Sequence, residues 1–589
     1  MPRFAVMAAV TLIIAMTLLV GRSKHRESIV FNPLVVAFAC YTVLTGVSLL
    51  ASNNTANAIV SLSKSCLYLV TLWILLNALV NDSWPFSSVA RVISVAAFLL
   101  SGIAVLQYFD AGFRWLPGNV TPYATMANKN LLSSSLFLML PFAIYTFLTG
   151  RGPWLLLSSI SVVACSYTIT ISQTRSVWIA LIVASIVAAI GFLFAASRLR
   201  DEFGKANLQR MRLPSVIAVT LFGVLLGVFS LYAVGSTGNE DGSRDVINFG
   251  TASMTERLNL WSNSLEMYAD NPIIGTGAGD WKIDILKYDN ANLASRTGDI
   301  FYQRPHNDFI WIVAESGLLA LLFYCLVFGV AIYWSFRGLK TAKLSKNSAL
   351  PLSMLFGLSG YMVIAFFSYP KERIVHTLLL LLMLAAVGSI RANATRTLKS
   401  CPLIVALFTI IVSSLCLMIA ASRIASESHI RNALQAKELQ DWSVVISEID
   451  DAKSPVCSMD LTSTPLDWYR GVATFALGNT DDALDDFERA YQLNPYHVHV
   501  LNNLGTCYEV KGRHSEAIVK YEEALAIIPD FEETLLNLAA VLYNIGEYSE
   551  AYHRLKVIDG LASDNRYRTI MHRIEARLRG DSSGSILED

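Results

Sequence analysis

The sequence predicts an all-α fold, a polytopic membrane bundle of about twelve transmembrane helices followed by a soluble helical repeat solenoid. Three observations carry that prediction. The 589-residue chain is 54% hydrophobic and only 16% charged, too apolar for a soluble protein. Its 46 basic and 46 acidic side chains cancel, yet acids are scarce up to about residue 422 and plentiful beyond it. From about residue 430 the chain repeats with a period of 34 residues.

Apolar runs long enough to cross a bilayer fall at about 4–20, 31–51, 58–80, 89–109, 130–149, 154–172, 176–197, 214–235, 307–335, 349–369, 374–390 and 402–421. The first is expected to be a retained span and not a signal peptide, because its basic flank (Arg22, Lys24, Arg26) lies on the wrong side and no small-residue cleavage site precedes it. Turns such as Gly150-Arg151-Gly152-Pro153 and Ser172-Gln173-Thr174-Arg175 are short, which forces antiparallel neighbours. Basic residues concentrate in loops after odd-numbered spans, and these are expected to be cytoplasmic. Arg175, Arg304, His306, Lys371 and Arg373 then share the far side, and with twelve spans so does everything beyond Ala421. Merging 349–369 with 374–390 would reverse that last inference.

Residues 1–422 thus read as one membrane domain, with 236–305 as a long external loop. Within it Met254, Leu258, Trp261, Leu265 and Tyr268 recur at helical spacing behind a Ser253/Glu256 capping pattern. An amphipathic helix lying on the membrane or capping the bundle is expected there. Gly275, Gly277 and Gly279 follow; with no Lys-Ser/Thr after them and no strand before, a tight turn is preferred to a phosphate cradle.

Residues 430–560 read as tetratricopeptide repeats. Gly471, Gly505 and Ala539 are in register, as are Gly478, Gly512 and Gly546, and Ala483, Ala517 and Ala551; Pro495 and Pro529 end units. A degenerate unit is expected around Leu434 to Ala452, and 561–589 reads as a tail. The eight cysteines show no zinc spacing and read as small core residues.

Three polar clusters break the apolar chain on the far side: Asn128-Lys129-Asn130, the hairpin tip holding Arg175, and Arg304-Pro305-His306-Asn307-Asp308 with Glu315. Tyr369-Pro370-Lys371-Glu372-Arg373 joins the third. Four or five cations at one membrane face make an anion site, and Arg grips phosphate bidentately. Each has a structural reading too. Arg175 and Arg373 are placed where arginines snorkel, and Glu372 is placed to neutralise Lys371 or Arg373. His306 is placed as a polar residue at a helix N-terminus with Asn307 or Asp308 as its cap, a reading that composition supports as well as catalysis; Asn128 is placed to cap the fifth span, and Glu315 to pair with an Arg between helices. For Arg175 the functional reading is preferred, since its loop is too short to need a solubilising charge; for Glu315 the structural one is.

The order of these motifs resembles the O-antigen ligase family, which groups WaaL-type lipopolysaccharide ligases, Wzy-type polymerases and bacterial protein O-oligosaccharyltransferases. The resemblance runs over roughly residues 30–390, through Ser172-Gln173-Thr174-Arg175-Ser176, Arg257…Trp261, Asn271-Pro272…Gly275-Thr276-Gly277 and Pro305-His306-Asn307…Glu315-Ser316-Gly317. It implies a bacterial inner-membrane enzyme that moves a glycan from undecaprenyl pyrophosphate to an acceptor hydroxyl in the periplasm. The acceptor would be lipid A-core, another glycan or a protein. Carried onto this chain, Arg175 would bind the pyrophosphate, and His306 would act on the acceptor hydroxyl or steady the departing phosphate. Arg304, Asn307, Lys371, Arg373, Asn128, Asn130 and Glu315 are the expected substrate-binding residues. No DxD-like pair accompanies them, so neither a metal nor another cofactor is expected; nor is a nucleic-acid partner. The repeats offer a surface for a protein partner. A lipid-glycan flippase or a repeat-bearing scaffold is the non-enzymatic alternative, and cations gathered at one face, not midway along spans, argue against a flippase.

Overall fold

The computed structural model describes residues 1–21, 29–80, 84–112, 123–126, 128–203, 225, 228, 252–288, 302–341, 348–390, 396–398, 402–556 and 565–579. Eleven of the twelve expected spans coincide with helices, and the twelfth, at 214–235, lies outside the described residues apart from Leu225 and Val228. Among the described residues nine helices are long and apolar enough to cross a membrane, while Pro2–Thr17 and Ile374–Ile390 are apolar but shorter. The basic loops at 22–28, 204–212 and 342–347, and Asn239-Glu240-Asp241, also lie outside them.

The membrane helices are α1 (Pro2–Gly21), α2 (Pro33–Ser48), α3 (Thr55–Val80), α4 (Phe86–Tyr108), α5 (Lys129–Thr149), α6 (Pro153–Ile171) and α7 (Arg175–Phe203). After the external helices α8 (Ala252–Asp270) and α9 (Trp281–Asp284) come α10 (Asp308–Thr341), α11 (Ala349–Phe367), α12 (Ile374–Ile390) and α13 (Pro402–Glu438). The helices α11 and α12 stay separate, joined by the turn at 368–373. Non-sequential pairs knit the bundle: α7 packs on α11, α2 on α10, α3 on α12 and α1 on α13. At its centre α5 buries Leu131 to Ala143 on every side. Close approach there needs missing side chains: a Cβ on Gly360 would lie 2.0 Å from the Phe137 ring, and one on Gly357 2.5 Å from Pro141. Small residues at helix contacts are how membrane helices gain packing energy where lipid removes the hydrophobic drive. One two-stranded antiparallel ladder, β1 (Ile29–Phe31) with β2 (Arg396–Leu398), is the small departure from an all-helical chain.

The helix expected at 402–421 runs on to Glu438, so one rod leaves the membrane and opens the repeat domain. Its residues Ile430, Ala433 and Ala436 pack against Val445, Ile449 and Ala452 of α14 (Trp442–Ala452), the expected degenerate unit. Then follow α15 (Leu466–Ala476), α16 (Thr480–Leu493), α17 (Val498–Val510), α18 (His514–Ile527), α19 (Glu532–Asn544), α20 (Tyr548–Lys556) and α21 (Asn565–Leu578). The last of these is a helix in what read as a loose tail. The repeat glycines have a steric cause: a Cβ on Gly471 would meet Phe487 at 2.7 Å, and one on Gly505 would meet Tyr521 at 2.6 Å.

Candidate active site

The segment carrying α8 and α9 is fastened to the bundle by a break in α10. Gly317 sits at φ 77°, ψ 176° inside that helix, and non-helical backbone at membrane depth is tolerated only where its polar groups find partners. They do. Leu318 N donates to Pro272 O (3.2 Å), Thr276 N to Ala314 O (3.0 Å) and Gly277 N to Glu315 O (3.1 Å). A side chain at Gly317 would lie 2.1 Å from Ile273 O, and one at Gly275 2.2 Å from the Glu315 carbonyl carbon. The glycines after Asn271 thus form the expected turn against the bundle. Glu315 has no arginine partner among the described residues; the helical break brings backbone amides to it instead, and its carboxylate accepts from Gly279 N (3.0 Å) and Trp281 N (3.3 Å).

Helix α8 turns Leu260, Ser264 and Met267 inward onto Trp281, Trp311 and Ala314, while Met254, Leu258 and Leu265 stay exposed. That is an apolar outer face suited to lipid. The helix begins at Ala252, so Ser253 lies within it, and Glu256 accepts from the Tyr302 hydroxyl (2.6 Å) instead of closing a capping box. Trp261 Nε1 donates to Pro305 O (2.7 Å), which fixes the chain just before His306.

A cavity of about 760 Å³ opens at this end of the bundle. Arg175 from the α6–α7 hairpin, Arg257 from α8, Arg373 from the α11–α12 turn and Lys129 at the head of α5 reach its wall, with His306, Asn128 and Asn130; among the described residues no carboxylate does. Two non-glycine residues on its rim, Gln173 (φ 50°) and His306 (φ 57°), adopt left-handed backbone. Such strain persists where surrounding structure over-determines it, characteristically at functional sites. Tyr369 is the hub: the Arg304 and Arg373 guanidiniums lie 4.7 and 4.3 Å from its ring centroid, and the His306 ring meets it edge-on at 5.0 Å. Burial, then Arg257, Arg304 and Arg373, push the His306 pKa down to about 4. The imidazole is therefore neutral at physiological pH and can accept a proton.

The sequence-selected residues divide between two places. Arg175, His306, Arg373, Asn128 and Asn130 share the cationic cavity. Asn128 also caps α5 through Leu131 N (3.0 Å), and Asn130 accepts from Thr174 Oγ1 (3.1 Å), tying α5 to the hairpin. Arg304, Lys371 and Glu315 instead line a second cavity of about 460 Å³ between the bundle and the repeat domain. Asn307 reaches neither; fully buried, it caps α10 through Phe309 N (3.0 Å) and Ile310 N (3.1 Å). Glu372 does neutralise cations, but they are Lys64 and Arg304. Burial alone would raise its carboxyl; those two charges outweigh it and hold the pKa at about 2.

Lys129, Arg257 and Tyr369, named in the sequence as parts of motifs but not as site residues, line the first cavity, and Lys64, Lys282 and Arg423, not singled out there, line the second. Lys64 carried a signal, a lone charge within an apolar span. Arg257 carried one in its helical register, and Tyr369 carried none, because its role is a through-space stack.

A multi-pass membrane protein with a cationic, carboxylate-free cavity at one end, flanked by a helical repeat domain, is the class this architecture defines. Within it, residues 160–325 match the family model described as O-Antigen ligase, and residues 464–530 and 510–574 match two described as Tetratricopeptide repeat. Arg175, Arg257 and His306 fall within the ligase match; Asn128, Asn130, Lys371 and Arg373 lie outside it. The chain is 25% identical over 284 residues to the exopolysaccharide production protein ExoQ of Rhizobium meliloti, covering 46% of this chain and 59% of the relative. It is also 35% identical to peroxisomal targeting signal receptors of Candida glabrata over 85 residues and of Saccharomyces cerevisiae over 81. These matches span only 14% and 13% of the receptors' lengths.

Proposed function

We propose that this protein transfers a glycan from undecaprenyl pyrophosphate to an acceptor hydroxyl at the periplasmic face of a bacterial inner membrane, as an O-antigen ligase. The observation that carries the reading is the cavity itself, where four cations and a neutral imidazole meet with no carboxylate. In the transfer, a bond forms between the acceptor oxygen and the anomeric carbon while the bond from that carbon to phosphate breaks. The electron pair leaves with the lipid pyrophosphate. Arg175, Arg257 and Arg373 stabilise the charge that develops there, and being already in place they need not reorganise. The acceptor's proton passes to His306. A donor set of guanidinium, ammonium and imidazole suits a phosphate ester, not a hard divalent cation, which takes oxygen ligands.

The likeness to ExoQ favours a second reading, in which the acceptor is another glycan chain and the product a polymer. The repeat domain beside the second cavity is equally placed for a protein acceptor. Purified protein in nanodiscs, given lipid-linked glycan and each acceptor class with a chelator present, decides among these by mass spectrometry of the products. The proposal expects glycan on lipid A-core. Extended glycan or glycosylated protein alone would replace the ligase reading, and no transfer to any acceptor would remove the enzyme.

A further inference from the structure

The second cavity plays no part in the donor chemistry above, and its charges are committed unevenly. Five cations and four carboxylates line it. Every carboxylate is already engaged. Glu372 holds Lys64 and Arg304, Glu427 lies 3.6 Å from Arg423, and Glu315 takes two backbone amides. Asp460 accepts from Thr462 N (2.8 Å), Thr464 N (2.9 Å) and the Tyr469 hydroxyl (2.9 Å). Two ammonium groups make no direct ion pair with a described carboxylate, although the charges of Glu315, Asp308 and Glu372 reach Lys371 and those of Asp460 and Asp280 reach Lys282. Lys371 rests on the face of Trp311 at 3.7 Å, and Lys282 makes no hydrogen bond or ion pair with any described residue. Burial and Arg423 lower the Lys282 pKa to about 8, so it remains largely charged at neutral pH. A half-buried ammonium with no carboxylate in direct contact is costly, and such a group is relieved by a bound anion.

We infer that this cavity is a second anion site, taking an acidic saccharide whose carboxylate or phosphate meets Lys282 and Lys371. Asn57, Ser61 and Gln303 on the same wall offer both donors and acceptors for sugar hydroxyls. The wall is built by both domains: Lys282 belongs to α9, and Asp460 to the loop between α14 and α15. Ser458 Oγ donates to Asn54 Oδ1 (3.1 Å) and Gln303 Nε2 to Ser463 Oγ (3.3 Å), so the repeat domain closes the site from outside. Arg304 lines this cavity, and His306, two residues on, lines the first, with Tyr369 against both. An acidic acceptor held here has its attacking end beside the imidazole. That meaning rests on the transferase reading; the binding itself does not.

Binding to the full-length protein in detergent is measured by titration calorimetry with three tetrasaccharides: one carrying a glucuronate, the same one carboxyl-reduced, and one carrying a phosphomonoester. At least one acidic probe should bind about tenfold or more tighter than the neutral one, the range for a charge-assisted contact. Lys282→Met should abolish that preference, Lys282→Arg should keep it, and Arg175→Ala should keep it while losing transfer. Equal binding of all three probes, or an undiminished preference in Lys282→Met, overturns the inference, whether or not the protein transfers glycan.

Discussion

At the scale of residues, the His306 imidazole owes its neutrality to its neighbours. Removal from water lowers its pKa first, and the charge of Arg257 is the next cause. A guanidinium nearby opposes the imidazolium, so deleting it raises the pKa. For glycan transfer kcat/KM, which reports the free enzyme, should hold from neutral pH to about 5 and fall as pH approaches the imidazole's pKa. In Arg257→Gln the acidic limb should move upward, toward the ordinary value of 6.5. A limb that stays in place would mean another group titrates. Arg175 and His306 could be singled out in the sequence, as a charge heading a span after a three-residue turn and an imidazole beside an apolar helix, but snorkelling and helix-end readings stood beside the functional ones. Arg257 was not, because an arginine on an amphipathic helix is unremarkable until that helix is laid over the cavity.

At the scale of elements, the break in α10 holds the site's geometry. The Glu315-Ser316-Gly317 interruption was visible in the sequence, and so were the glycines at 275, 277 and 279. Their mutual pairing was not, since two irregular segments forty residues apart carry no periodicity to match. Gly317→Ala puts a side chain at positive φ and against Ile273 O. It should cost on the order of 3 kcal/mol, combining backbone strain with a clash that cannot relax. Gly329→Ala in the same helix meets nothing within 4 Å and should cost nothing measurable. Thermal unfolding in detergent compares the two, and equal stability would contradict the break. The same logic explains the α11 glycines: 349–369 read as a span from its hydropathy, but only the packed partner, α5, shows why Gly357 and Gly360 lack side chains.

At the scale of the whole molecule, the repeat domain is docked at the cavity end. Arg423 Nη1 and Nη2 donate to Val456 O (2.9 Å) and Met459 O (3.2 Å), bracing the loop that faces the bundle. Asn54→Cys with Ser458→Cys should therefore be joined by a short bismaleimide in native membranes, read as a shift on a gel after cleavage between the domains. Failure to join them would place the repeats elsewhere. The 34-residue period announced a solenoid, and hydropathy announced a bundle. Neither carried information on their docking, which rests on a few polar contacts between loops. The central claim is narrower, that the guanidinium in the α6–α7 hairpin and the imidazole before α10 serve one transfer reaction. Assay of lipid-linked glycan transfer in membranes tests it most directly. Arg175→Ala and His306→Ala should each abolish product at unchanged protein level, and full activity in both variants would contradict the account.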